Sequence, residues 1–150
     1  PTVERAVRML QAIAEKNKIS IHTDLCNDNL ILILEDDLYQ IVFNLVENGI
    51  KYNKPDGTLS IGLTEADEMA VLTVQDTGVG IPEDSLSHIF ERFYRVDKAR
   101  SRQTGGSGLG LSIVKTIIER NNGQIQVSST LGVGTCFTVY FPIIETDIDR

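Results

Sequence analysis

The sequence predicts an α+β domain, a two-layer α/β sandwich in which helices cover one face of a mainly antiparallel sheet. Three observations point there. Apolar residues recur at helical spacing in three separate stretches: 2–16, a run from residue 38 to about 52, and 109–118. Period-two alternation marks strands at 58–64 and 69–76, and again at 124–130 and 135–142, each pair close enough to be joined by a short antiparallel connection. The chain of 150 residues is long enough to bury one sizeable core and matches the usual size of one domain.

Composition narrows the class. An apolar fraction of 41% and a charged fraction of 23% are ordinary for a globular protein. No stretch approaches the roughly 18 apolar residues of a membrane span, so no direct membrane insertion is expected. The opening Pro1-Thr-Val-Glu-Arg does not resemble a signal peptide, and the absence of an initiator Met suggests a piece of a longer chain. A formal net charge of −7 argues against nucleic-acid binding. Cys26 and Cys136 are far apart and make no metal-spaced pair, which fits a reducing cytoplasm.

The first helix, 2–16, carries Val3, Val7, Leu10, Ile13 and Ala14 on its apolar stripe and ends at Asn17 and Lys18. Strands are expected at 19–25 and 30–34, joined by the turn-prone Cys26-Asn-Asp-Asn. Asp36 or Asp37 can cap the second helix. Its apolar face holds Leu38, Val42, Leu45, Val46 and Gly49; the opposite face holds Gln40, Asn44, Glu47, Asn48 and Lys51. Such a stripe is commonly just solvated. Asn is nevertheless a poor interior helix former, and here two stand four residues apart. Two amides and an ammonium in line could hold a hard cation through oxygen and phosphate through N–H donors.

Asn53-Lys-Pro-Asp-Gly57 breaks the helix. In the strand at 69–76, Ala70, Leu72, Val74 and Asp76 share one face, so Asp76 ends a core-facing row. A carboxylate there is costly without donors. It leads into Thr77-Gly78-Val79-Gly80-Ile81-Pro82, where glycines permit a sharp turn and the approach of a flat ligand. Asp76 could accept a hydrogen bond from an exocyclic amine such as that of adenine; it could equally bond nearby backbone N–H groups. Pro82 opens a short helix, and Phe90 and Phe93 follow as an i, i+3 aromatic pair. From Glu91 to Arg102, five cations face two anions in what reads as a mobile basic loop: a polyphosphate lid, or a solvated loop.

Gly105, Gly106, Gly108 and Gly110 then open the third helix, a place for phosphate at exposed N–H groups, or alternatively a flexible linker. Leu111, Ile113, Val114, Ile117 and Ile118 are expected inward, and Asn121-Asn-Gly123 ends the helix. The last two strands flank Leu131-Gly-Val-Gly134. Thr135 shares the apolar face of Phe137, Val139 and Phe141 and could reach a ligand in the core. The tail from residue 143 is acidic and expected to fray.

Five motifs in order resemble those of the catalytic ATP-binding domain of bacterial two-component sensor histidine kinases, within the Bergerat-fold superfamily. They are Asn44-x-x-x-Asn48-x-x-Lys51-Tyr52, Asp76-x-Gly78-x-Gly80, Phe90-x-x-Phe93, Gly106-x-Gly108-Leu109-Gly110-Leu111 and Gly132-x-Gly134-Thr135. The resemblance runs from about Ile19 to Pro142, and the lid sequence is similar to phosphate- and envelope-sensing kinases. It implies a mixed, mainly antiparallel sheet against three helices, with a mobile ATP lid over 94–108 and a first helix, 1–18, that follows a dimerisation and phosphoacceptor hairpin. It implies ATP and Mg²⁺ as ligands, with Asn44 on the metal and Asn48 and Lys51 at the phosphates. Asp76 would meet the adenine amine. Tyr52, Gly78, Gly80, Ile81 and Thr135 would lie around the nucleotide, Arg95 and Lys98 would reach from the lid, and Gly106 to Leu111 would hold phosphate oxygens.

The implied activity is transfer of the γ-phosphoryl group to a histidine of the dimerisation domain, for relay to a response regulator. The implied setting is the cytoplasmic part of a membrane-anchored sensor, monomeric as an isolated domain and homodimeric in full. Gly49 departs from the family's usual Ala, and neither His22 nor His88 has the phosphoacceptor context, so the acceptor histidine is expected upstream. The glycines lack the Lys-Ser/Thr of a P-loop. Asn44, a poor base, disfavours the hydrolytic relatives. An anti-sigma serine kinase and a non-catalytic nucleotide-binding module are the alternatives.

Overall fold

The computed structural model describes residues 2–25, 35–66, 68–91 and 110–142. Among them, three helices and five strands follow the order α1 (Thr2–Lys16), β1 (Ser20–Leu25), α2 (Glu35–Lys51), β2 (Thr58–Ala66), β3 (Met69–Asp76), α3 (Gly110–Arg120), β4 (Gln124–Thr130) and β5 (Gly134–Pro142). One sheet runs β1-β2-β3-β5-β4. Only the β1–β2 pair is parallel; the other pairs are antiparallel. This is the mixed, mainly antiparallel sheet under three helices that the sequence predicts. The expected strand at 30–34, the lid, Phe93 and the tail lie outside the described residues.

Strand register explains where the core ends. Leu63, Leu72, Val139 and Ile125 form one row across the inner face, and Ile61, Val74, Phe137 and Val127 form the next. These side chains pack under Leu38, Ile41, Val42, Leu45 and Val46 of α2 and Val114, Ile117 and Ile118 of α3 in one apolar cluster. One step further the row changes character. Leu59 pairs with Asp76, and Ser129 pairs with Thr135. The sheet is apolar inside until this end, where three polar side chains enter the layer between sheet and helices.

The helices fit with small corrections. Val3, Ala6, Val7, Leu10 and Ala14 of α1 are buried, but Ile13 is 43% exposed. It stands about 100° around the helix from Ala14, on the edge of the stripe. Ile113 of α3 is likewise 38% exposed, because Val114, Ile117 and Ile118 define the inward line. Asp36 and Asp37 do not precede α2 but lie inside its first turn. There Asp37 accepts hydrogen bonds from Arg120 Nη2 at 2.9 Å and Asn121 Nδ2 at 3.1 Å. This clip ties the end of α3 to the start of α2, so the chain direction points the start of α3 toward the C-terminal half of α2. At the end of α3 it is Asn122, with φ 64°, that takes the left-handed turn, rather than Gly123. The short helix after Pro82 is a single 3₁₀ turn, Glu83–Ser85, with Pro82 just before it.

Gly49 has a packing role. A Cβ added there would lie 2.6 Å from Leu59 Cδ1. That obstacle is the far end of a flexible side chain. At Gly134 the obstacle is the backbone carbonyl of Asp76, which cannot swing aside. Gly49→Ala should therefore change the unfolding free energy by less than about 1 kcal/mol, since helix propensity gained offsets the displaced Leu59. Gly134→Ala should cost more than about 2 kcal/mol. Urea denaturation of both variants checks the contrast, and equal losses would contradict it.

Candidate functional site

The site is built around Asp76. The inward alternation of β3 carries its carboxylate to the end of the apolar row, where the residue is 7% exposed. Oδ1 accepts the Gly78 N–H at 2.9 Å and the Thr135 N–H at 3.2 Å. Both bonds go to the same oxygen, and among the described residues no hydrogen bond goes to Oδ2. Burial pushes the Asp76 carboxyl above its ordinary value; the Gly78 and Thr135 N–H groups pull the other way and offset only part of this. Sequence reading left two roles for Asp76, ligand acceptor or turn former. The geometry accommodates both, one on each oxygen.

The loop after Asp76 is bracketed on two sides. Against the end of α2, the Val79 N–H donates to the Tyr52 carbonyl at 3.1 Å, and a side chain at Gly78 would strike that same carbonyl. Asn53, buried just past the helix, donates through Nδ2 to the Thr58 carbonyl at 2.9 Å. Thr77 Oγ1 accepts the Thr58 N–H at 2.9 Å. Against the β4–β5 hairpin, the Gly132 N–H donates to the Val79 carbonyl at 2.9 Å. Gly80 lies in the left-handed region at φ 78°, facing the Thr130 carbonyl. The Ile81 N–H donates to Ser129 Oγ at 2.7 Å. Ser129 in turn donates to the Gly134 carbonyl at 3.0 Å or shares a proton with Thr135 Oγ1 at 2.9 Å.

The structure thus brings Tyr52, Asp76, Gly78, Ile81 and Thr135 into one hydrogen-bonded cluster, with Gly80 packed on the Thr130 carbonyl inside it. Asn44, Asn48 and Lys51 stand half-buried on α2, with Glu47 Oε1 4.0 Å from Lys51 Nζ; Gln40 of the same face is exposed. Gly110 and Leu111 open α3. Gly110 is exposed, and among the described residues a Cβ there would meet no atom within 4 Å. Phe90 packs edge-on against Phe137 at 6.3 Å between centroids, with Lys115 Nζ 5.5 Å from its ring. Arg95, Lys98, Gly106, Gly108 and Leu109 lie outside the described residues. His22 is exposed on β1, and His88 Nδ1 lies 2.7 Å from Glu91 Oε2; neither joins the cluster.

Sequence reasoning missed Asn53, Thr77 and Ser129. Ser129 was findable: it follows Ile125 and Val127 at period two, a polar residue at an inward position, as Asp76 is. Asn53 and Thr77 carried no such signal, because their partners are backbone groups brought near by the fold. Among the described residues, no group of three or more His, Cys, Asp or Glu could hold a metal ion. The polar face of α2 presents side-chain oxygens at Asn44, Glu47 and Asn48.

Residues 33–145 match the family described as histidine kinase-, DNA gyrase B-, and HSP90-like ATPase. The sensor histidine kinase RppB of Synechocystis sp. is 49% identical over 114 residues, covering 76% of this chain and 25% of that protein. The sensor-like histidine kinase SenX3 of Mycolicibacterium smegmatis is 43% identical over 141 residues, covering 93% and 36%. This chain therefore spans between a quarter and about a third of these two relatives. Among solved structures, the mycobacterial sensor histidine kinase MprB superposes with a TM-score of 0.82 at 26% identity, covering 95% of this chain and 94% of that one. Full-length ShkA in complex with AMPPNP gives 0.79 at 28% identity, covering 95% and 29%.

The raised carboxyl pKa of Asp76 makes a signed prediction. The folded state binds its proton more tightly than the unfolded state does. Its contribution to stability is therefore most favourable below the unfolded value and falls as pH rises through the folded value. Asp76→Asn keeps an oxygen for the Gly78 and Thr135 N–H groups and removes the titration. The stability of Asp76→Asn relative to the unsubstituted chain should rise as pH climbs through that window, then stay level to neutrality. Paired thermal melts across the acid range measure the difference; a relative loss with rising pH would contradict the burial argument.

Proposed function

We propose, for a chain that belongs to the histidine kinase-, DNA gyrase B-, and HSP90-like ATPase family, that it binds Mg·ATP and donates the γ-phosphoryl group to a histidine on the dimerisation domain of a sensor kinase. That histidine then supplies a response-regulator aspartate. The observation that carries the reading is the split use of the Asp76 carboxylate, with Oδ1 anchored to backbone and Oδ2 left for a donor. The 6-amino group of adenine is such a donor. Ile81 and Thr135 border it, and the glycines at 78 and 80 keep side chains out of the way. The ShkA complex with AMPPNP supports a nucleotide in a fold of this shape.

From the base, the phosphates run toward the space between α2 and the start of α3. The first N–H groups of α3 have no intrahelical partners and point at anions. Lys51 and Asn48 would supply further donors from α2, and Arg95 and Lys98 of the lid would supply cations for the γ-phosphate. Asn44 offers a neutral amide oxygen, which suits Mg²⁺, an ion that takes few protein ligands alongside phosphate and water. Bound there, the cation would offset charge on the phosphate oxygens. The acceptor imidazole nitrogen bonds to the γ-phosphorus as the bond to the bridging oxygen breaks, leaving ADP. Such transfer depends on in-line positioning and charge compensation. An amide at position 44 cannot take a proton from water, so transfer is favoured over hydrolysis. The domain is then the cytoplasmic part of a membrane-anchored sensor, monomeric when isolated and homodimeric in the full-length protein. Among the described residues, no helix is long and apolar enough to cross a membrane.

Two measurements test this. In titration calorimetry, Asp76→Asn should weaken ATP binding by about a hundredfold or more, because Asn presents an amide donor to the adenine amine. Affinity unchanged in a folded variant would sink the assignment. With a separately prepared acceptor hairpin and γ-labelled ATP, label should appear as acid-labile phosphohistidine on the hairpin, and Asn44→Ala should suppress it. Binding without transfer would leave a nucleotide-binding module instead of a kinase.

A further inference from the structure

We propose that Ser129 is a positioning residue of the base pocket, fixing the spacing between the Ile81 wall and the Asp76–Thr135 edge. The proposal rests on the nucleotide reading above and deepens it. Asp76, Thr135 and Ile81 come from three segments: the end of β3, the start of β5 and the loop that leaves Asp76. Backbone bonds join Asp76 to Thr135 directly. Nothing in the β3–β5 pairing places Ile81, which is five residues beyond Asp76 along a loop with two glycines. Ser129 Oγ closes that gap. It accepts the Ile81 N–H at 2.7 Å, donates toward the Gly134 carbonyl at 3.0 Å and lies 2.9 Å from Thr135 Oγ1. One hydroxyl thus serves a wall of the pocket and its hydrogen-bonding edge together.

The chemistry explains why a small hydroxyl residue stands at this inward position of β4. A hydroxyl can accept two hydrogen bonds and donate one. Here Ile81 N–H fills one acceptor site, the Gly134 carbonyl takes the proton, and Thr135 can donate into the remaining lone pair. Alanine would leave the Ile81 N–H without this partner and let the loop end drift. The consequence is specific. Of the two N–H groups that anchor the Asp76 carboxylate, that of Gly78 is independent of Ser129 and that of Thr135 belongs to the peptide whose carbonyl accepts from it; no hydrogen bond joins Ser129 to the described residues of α2 or α3. Loss of Ser129 should therefore loosen recognition of the base and leave the phosphate end intact.

The experiment compares ATP, ADP, GTP and Mg·tripolyphosphate binding by calorimetry for the unsubstituted domain, Ser129→Ala and Ser129→Thr. In Ser129→Ala, ATP and ADP should weaken together by about tenfold or more, since a half-buried donor loses its partner. The preference for ATP over GTP should fall, while tripolyphosphate affinity and the ATP-to-ADP ratio stay constant. Ser129→Thr, which keeps the hydroxyl, should restore the preference. A merely structural role would weaken tripolyphosphate as well and leave the ATP-to-GTP ratio where it was, and that result overturns the proposal. So does an unchanged ATP affinity. If Ser129→Ala does not fold, Ser129→Cys keeps the volume and weakens both bonds, and its ATP-to-GTP ratio decides in the same way. Failure of the unsubstituted domain to bind ATP at all would overturn the nucleotide reading, and this proposal with it; ATP binding with an unaltered ratio overturns the Ser129 role alone.

Discussion

The domain depends on how one buried carboxylate is held. Asp76 occupies a position in β3 where the preceding inward residues, Ala70, Leu72 and Val74, are apolar and buried. Placing a carboxylate at the end of that row raises its pKa through lost hydration, and two backbone N–H groups only partly compensate. The residual cost is what gives the free oxygen its capacity to recognise a donor. A carboxylate already satisfied on both oxygens would gain little from an amine; one held on a single oxygen gains a hydrogen bond in a poorly hydrated place, where such bonds count for more.

Much of the surrounding architecture follows from keeping that carboxylate in place without adding bulk. The loop from Thr77 to Ile81 must pass between the end of α2 and the tip of the β4–β5 hairpin. Backbone contacts on both sides force small residues: a side chain at Gly78 would meet Tyr52 O, one at Gly80 Thr130 O, and one at Gly134 Asp76 O. These three glycines therefore report close approach of main chains as much as flexibility. The loop is fixed by Val79 on both sides, through Tyr52 and Gly132. The Asp76 end of the site is thus held by main-chain hydrogen bonds on both sides.

This difference accounts for what could be read from the chain and what could not. The apolar periods in β2, β3, β4 and β5 were legible because burial on one face of a strand imposes strict alternation, and Asp76 stood out as its exception. The α2 stripe was legible because two asparagines are poor choices for a plain solvated helix face. Ile13 and Ile113 misled because an apolar residue at the margin of a helical stripe satisfies the same period as a buried one. The Asp36 and Asp37 cap failed for a tertiary reason: Asp37 is held by Arg120 and Asn121, about eighty residues away in sequence. Asn53 and Thr77 bond to Thr58 backbone atoms, and no local pattern encodes a partner reached only after β2 and β3 have paired.

Charge shows why composition excluded less than it first suggests. A net charge of −7 opposes a polyanionic ligand only through long-range repulsion, and screening limits that to about 8 Å at physiological ionic strength. Within that distance the local groups decide. The stretch from Glu91 to Arg102 carries five cations against two anions, a local +3 in a chain whose remainder must then total −10. On α2, the residues opposite the core include neutral amides at 44 and 48 and an ammonium at 51, with Glu47 alongside. In the proposed reading, an amide at 44 would add an oxygen for a cation without adding negative charge near the phosphates and without supplying a base for water. A neutral residue there would lower the electrostatic cost at the phosphate end and favour transfer to a positioned acceptor over hydrolysis. In the proposed reading, discrimination of the base falls to the other end of the pocket, where the buried Asp76 carboxylate and the backbone groups that hold it present a fixed hydrogen-bond pattern.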